Sequence, residues 1–219
     1  MTAVLDHIFV FVPPDAPNER QHLANLGLTE TYQRAHPGQG TANVCYAFEN
    51  AFLELLWLTD PQEAASAPIA RTALAQRGQW RRNNASPFGI AWRLPPGHHT
   101  QPVPTWHYRP PYLPGDMSIH MAIGSQDPQH PLLFASPGKN APSQWPAQRQ
   151  QNLQRSGGFT RIKGLTLHNS PGFEPLDALA TLGLVRLAPA QPQPKLVVHL
   201  GRTDGTVVDL ELPSCTALA

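Results

Sequence analysis

The chain has 219 residues, 41% of them apolar and 14% charged, with a net charge of +1. So neutral a balance excludes the basic face of a nucleic-acid binder and the polybasic anchor of a membrane-surface protein. The length suits one large domain or two small ones sharing a core.

Met1-Thr2-Ala3-Val4-Leu5-Asp6-His7 opens without a basic or long apolar leader, and no apolar run approaches the ~20 residues of a membrane span. The expectation is a cytoplasmic protein with no signal peptide. Cys45 and Cys215 alone make no disulfide framework, which agrees with a reducing compartment.

In chain order, Leu5 to Val12 is an apolar run broken only by Asp6 and His7, short enough for a buried strand. Pro13-Pro14 ends it. A short helix over Asn18 to Asn25 stops at Gly27. Glu30 to His36, Thr41 to Phe48 and Ala51 to Leu58 read as strands, with a turn at Pro37-Gly38-Gln39-Gly40. Asp60-Pro61 reads as a cap and first-turn proline leading a helix that ends near Gly78.

Residues 79–158 form a proline-rich connector with short strands embedded, since repeated prolines forbid one long helix or central strand. Trp92, Trp106, Tyr108 and Tyr112 recur through it. Residues 159–219 then repeat the opening plan: a strand over Arg161 to Asn169, a break at Pro171-Gly172 and a helix over Leu176 to Thr181. Strands over Leu184 to Leu187, Lys195 to Leu200 and Thr206 to Leu212 follow. Leu5 to Val10 aligns with Ile162 to Leu167, Leu26-Gly27-Leu28 with Leu182-Gly183-Leu184, and Asn50 to Leu55 with Gly205 to Leu210. The boundaries are therefore 1–78, 79–158 and 159–219, an α+β fold of two βαβββ modules joined by the connector.

The duplicated βαβββ string resembles the vicinal-oxygen-chelate superfamily. So does the opening Leu5-Asp6-His7-Ile8-Phe9-Val10-Phe11-Val12. His36-Pro37-Gly38-Gln39-Gly40-Thr41-Ala42-Asn43, Phe52-Leu53-Glu54-Leu55-Leu56 and Pro131-Leu132-Leu133-Phe134 resemble its glyoxalase-like branch. The resemblance implies that the two modules curl around one shared cleft, with metal ligands from the first and last strand of each. Those positions fall on His7, Glu54, Gly164 and Asp209, and glycine offers no ligand atom. A homodimer is implied by analogy, with no interface fixed by the sequence.

Strand alternation puts His7 on a face with Leu5, Phe9 and Phe11, and Glu54 with Phe52 and Leu56. A carboxylate among apolar neighbours needs a partner. Two readings stay open. His7, Glu54 and Asp209 surround a divalent ion with a vacant position for substrate, or they line a metal-free pocket in which His7 and Glu54 meet; Gly164 favours the second. Thr41 and Asn43 are candidate ligand contacts beside Phe9, Phe11 and Phe52, and Trp106, Tyr108 and Tyr112 a candidate lid. Cys45 has no activating partner and reads as a small apolar residue. No P-loop, nucleophile elbow or zinc-protease motif is present. The expected function is an enzyme acting on a small carbonyl-, enol- or hydroxyl-bearing metabolite, with Glu54 as base or ligand and His7 beside it. The rival is a non-catalytic protein that sequesters a small molecule.

Overall fold

The computed structural model describes residues 3–115, 117–169 and 172–213. Strands β1 (Val4–Phe11), β2 (Tyr32–His36), β3 (Thr41–Ala47) and β4 (Phe52–Leu58), with helix α1 (Pro17–Asn25) after β1, form where the sequence places them. Four single helical turns follow: α2 (Pro61–Ala64), α3 (Ala67–Ala70), α4 (Leu74–Arg77) and α5 (Trp80–Asn83). Asp60 caps α2 by accepting from the amides of Gln62 at 2.9 Å and Glu63 at 3.0 Å. The one helix expected here is broken because Pro68 lacks an N–H and must start a new turn, and because Ala73 takes a left-handed φ of 57°.

Strands β5 (Phe88–Arg93), β6 (Thr105–Tyr108), β7 (Ile119–Ala122) and β8 (Leu132–Ala135) come next, then helix α6 (Ala147–Gln150). The last unit is β9 (Phe159–Asn169), helix α7 (Glu174–Thr181), β10 (Arg186–Pro189), β11 (Lys195–Arg202) and β12 (Val207–Leu212). Pro171 and Cys215 lie outside the described residues.

The α+β class and both βαβββ strings are present, but the strings are wired differently. β1 to β8 form one sheet in the order β2-β3-β4-β1-β5-β8-β7-β6, and β9 to β12 another in the order β10-β9-β11-β12. β1 pairs parallel with β4, the last strand of its own string, whereas β9 pairs parallel with β10, the next strand after its helix. The pairing plan of the first module is repeated instead by β5 to β8, where β5 runs parallel to β8. β1 and β5 meet antiparallel, with Ile8 opposite Ile90, so a local two-fold relates the halves. Pro95, Pro96, Pro102 and Pro104 occupy the crossover from β5 to β6 and exclude the helix that the first half has there.

The eight-stranded sheet has two buried faces. Ile8, Val10, Leu53, Leu55, Ile90 and Leu133 point to one side and pack against Leu165, Leu167, Val198 and Leu200 of the four-stranded sheet. Fully burying each such side chain contributes roughly 1.5–3 kcal/mol, so this interface dominates the core. Phe9, Phe11, Leu56, Tyr108, Met121, Leu132 and Phe134 point to the other side, where Ile69, Leu74 and Trp80 from the helical turns close one end. Arg77 ties these turns down. Fully buried, its guanidinium donates to the carbonyls of Ser125 at 2.7 Å, His130 at 2.5 Å and Asp127 at 3.1 Å. Burial pulls it down to about 9, which Asp127 partly opposes.

Candidate functional site

The second face of the large sheet holds a cavity of about 490 Å³. Its walls come from β1 to β4 and β6 to β8, and no residue of the four-stranded sheet reaches it. The cleft is thus formed by the first module and the strands of the 79–158 segment. The 159–219 segment instead backs the floor.

Register explains which side chains meet. Glu54 lies between Cys45 on β3 and Phe9 on β1, and His7 is opposite Phe52. His7 and Glu54 are therefore diagonal neighbours, and His7 Nε2 is 3.8 Å from Glu54 Oε2. Both are buried, at 8% and 7% exposure. The His7 ring stacks on Phe52 at 4.4 Å and meets the edge of Phe134 at 5.2 Å. The nearness of His7 and Glu54 is as expected.

A bulge supplies what simple alternation misses. Leu5 pairs with Trp92 and His7 with Ala91, which leaves Asp6 as an extra residue in β1. Leu5 consequently packs into the core on the far side, not beside His7. Asp6 Oδ1 stays 2.7 Å from His7 Nδ1, and its other oxygen accepts from Arg93 at 2.8 Å. Burial alone would raise the Asp6 carboxyl, but the contacts with His7 and Arg93 outweigh it and hold the group below its ordinary value. An ionised Asp6 fixes the proton of His7 on Nδ1 and aims Nε2 into the cavity.

Asn43 organises the other side. Its amide donates to Glu54 Oε1 at 2.5 Å and stands 3.4 Å from His36 Nε2. Its carbonyl oxygen, Oδ1, is buried and has no hydrogen-bond partner. His36, read from sequence as a plain strand end, lines the cavity under Tyr112 and bonds Thr41 Oγ1 at 2.9 Å. Burial lowers the His36 imidazole, with Arg34 adding to the effect and Glu54 opposing it.

Thr41 itself does not face the cavity; its hydroxyl is taken up by His36 and Gln39. Phe11 is fully buried behind Phe9, and its carbonyl accepts from Trp80. Phe9, Asn43 and Phe52 line the space as expected. Of the aromatics expected to close over it, Tyr108 and Tyr112 line it, while Trp106 lies outside under the guanidinium of Arg71 at 4.1 Å. Burial keeps the hydroxyls of Tyr32, Tyr108 and Tyr112 protonated and pushes the Cys45 thiol well up, so Cys45 is no nucleophile.

Asp209 must be removed from the set. It sits on the outer face of the second sheet, 61% exposed, with its carboxylate 2.7 Å from His199 Nδ1. His199 in turn reaches Thr166 at 2.8 Å, and none of the three lines the cavity. Gly164 is beside them, opposite His199. The alternation Val207-Asp209-Glu211 outward and Leu210-Leu212 inward is that of a half-solvated sheet, which explains the carboxylate without a ligand.

The local two-fold tests whether a chelated ion fits. It maps His7 onto Gly89 and Glu54 onto Phe134. Neither counterpart has a donor atom. Among the described residues no three His, Cys, Asp or Glu side chains converge for an ion. His7 and Glu54 are two donors only, each already held by a polar neighbour. The donor set does not fit a resident divalent metal.

The family comparison falls on the same half of the sheet. Residues 5–94 match the model of the glyoxalase-like domain family. That match runs from β1 through β5 and includes His7, Asn43 and Glu54. Solved structures are similar to the chain at low identity. A hypothetical protein from Staphylococcus aureus is 11% identical, with 96% of this chain and 86% of that one covered at a TM-score of 0.45. A mutant of 4-hydroxymandelate synthase from Streptomyces coelicolor is 12% identical, with 95% and 62% covered at 0.44. A hypothetical protein from Bacillus halodurans C-125 is 16% identical, with 62% and 94% covered at 0.39. No curated protein matches the sequence.

Proposed function

We propose that this glyoxalase-like protein is an acid–base enzyme that works without a resident metal on a small carbonyl-, enol- or hydroxyl-bearing metabolite. One observation carries the reading. Two buried protonatable groups, His7 and Glu54, face one cavity 3.8 Å apart, each fixed by its own partner, Asp6 and Asn43. Burial of two such groups is costly and is offset here by polar neighbours, not by each other alone.

The geometry suits proton transfer on a hydroxy-carbonyl compound. Glu54 takes the proton from the carbon bearing the hydroxyl. His7 Nε2, unprotonated while Asp6 holds the ring proton on Nδ1, takes the hydroxyl proton and passes it to the adjacent carbonyl oxygen. An enediolate results, and return of the proton from Glu54 to the neighbouring carbon completes an isomerisation that consumes no oxidant or reductant. The apolar half of the cavity excludes water during the transfer.

The aromatic and aliphatic walls, Phe9, Phe52, Phe134, Met121 and Leu132, equally favour simple sequestration of a flat molecule. Glu54→Gln separates the two readings. Under acid–base catalysis turnover falls about 10²–10⁴-fold while ligand affinity stays within a few-fold. A variant that keeps its turnover sinks the enzymatic reading. Tight binding with no product in either protein establishes sequestration.

A further inference from the structure

The charge around the cavity is uneven. Glu54 is the one acidic side chain among the described lining residues, and it lies at the floor beside Asn43. Two arginines, Arg34 and Arg149, line the cavity from exposed positions and so mark its mouth. Arg34 is the register partner of Asn43 on β2 and therefore shares the cavity face with it.

These two guanidiniums differ from those held in ion pairs, and of the five that lie over rings among the described residues they are the two that line the cavity. Arg20, Arg93 and Arg155 reach Glu30, Asp6 and Glu49 at 2.6–2.9 Å. Arg34 and Arg149 lie over rings instead: Arg34 over Tyr112 at 5.0 Å, Arg149 over Tyr32 at 5.2 Å and Trp145 at 4.2 Å. A stacked guanidinium is held in place by its face and keeps its planar fork of donors free for an oxyanion. At the floor, the buried Asn43 Oδ1 lacks a donor. A buried acceptor left open is unfavourable, so it asks for a ligand hydroxyl.

We infer that the cavity takes a small organic anion, with its carboxylate or phosphate between Arg34 and Arg149, a flat apolar body between the aromatic walls, and a hydroxyl or enol at Asn43 and Glu54. This deepens the acid–base reading and rests on the same cavity being the working site. The mouth selects the class of substrate, and the floor acts on it.

Calorimetric titration of the full chain with 3- and 4-hydroxybenzoate, their neutral amides and benzoate tests the inference. At low ionic strength a hydroxybenzoate binds at least about tenfold tighter than its amide, and the advantage shrinks as salt rises. Benzoate, with no hydroxyl for Asn43, binds more weakly than the hydroxy acids. Arg34→Gln combined with Arg149→Gln, both at exposed positions, brings the acid down to the level of the amide. Amides that bind as well as acids, acids that all fail to bind below about 5 mM, or a preference that survives the double substitution would each overturn the inference. The readout is binding alone. Glu54→Gln protein that still turns over but prefers acids would remove only the acid–base reading, and Glu54-dependent turnover without that preference would remove only this one.

Discussion

The two halves of the eight-stranded sheet share a pairing plan and almost nothing else. β1 to β4 present His7, His36, Asn43 and Glu54 to the cavity, whereas β5 to β8 present Ile119, Met121, Leu132 and Phe134. On the proposed acid–base reading, the polar half carries the groups that move protons and the apolar half supplies the dry wall against which they act. A local two-fold in the backbone is thus no guide to a two-fold in the chemistry. One half of a duplicated scaffold can keep the reactive groups while the other is given over to packing.

The harshest way to break this asymmetry is to make the apolar half imitate the polar one. Phe134→Glu places a second carboxylate at the counterpart of Glu54, against the edge of His7, and removes a buried ring. It should cost about 4 kcal/mol or more in chemical denaturation, through lost packing and an unpaired buried charge. Arg93→Ala breaks the polar half from behind. Asp6 is then left with His7 alone, and about 3 kcal/mol of stability should go with it. Leu132→Ala probes the dry wall only. A loss of about 2–3 kcal/mol is expected, with turnover changed less than by Glu54→Gln; an equal effect on catalysis would mean that the halves are not divided as described.

The smallest effects are pH-linked, and the two titrating groups act in different windows. Asp6 has its folded value below the unfolded one, so its contribution is present above about pH 4 and is lost as pH falls through the folded value. Asp6→Asn should flatten that acid limb. His36 also has a lowered folded value, so the unfolded chain binds the proton first. Its neutral form contributes fully above about pH 6.5, and the contribution shrinks as pH falls from there towards the folded value. His36→Gln should remove the slope in that window, measured as denaturation midpoints against pH. An unchanged slope would mean that His36 is not held neutral under Tyr112.

The first module was legible in the sequence because short apolar runs, paired prolines and glycine turns there all agree with local preference. His7 and Glu54 came from the family resemblance, Asn43 from its place after the glycine turn, and alternation put Phe9 and Phe52 on the faces of His7 and Glu54. Asp6 did not, because alternation sends residues six and seven to opposite faces and only the bulge brings them to one group of partners. Two polar residues in succession within an apolar strand were the available sign. Asp209 was misplaced because the 159–219 string repeats the order of elements without the pairing, and pairing is decided by tertiary packing that sequence spacing does not encode. Arg34 and Arg149 join the site through long-range contacts, so nothing in their local sequence announces them.

Gly89 stands where the two-fold would put a second His7, and it is also where the Phe9 ring lies: a Cβ built at Gly89 would overlap that ring. A side chain at residue 89 and the aromatic wall compete for the same space. Placing a histidine at residue 89 alone must therefore destabilise the sheet, and cutting back Phe9 alone opens a void. Each step is unfavourable without the other, so the difference between the halves is held in place by sterics.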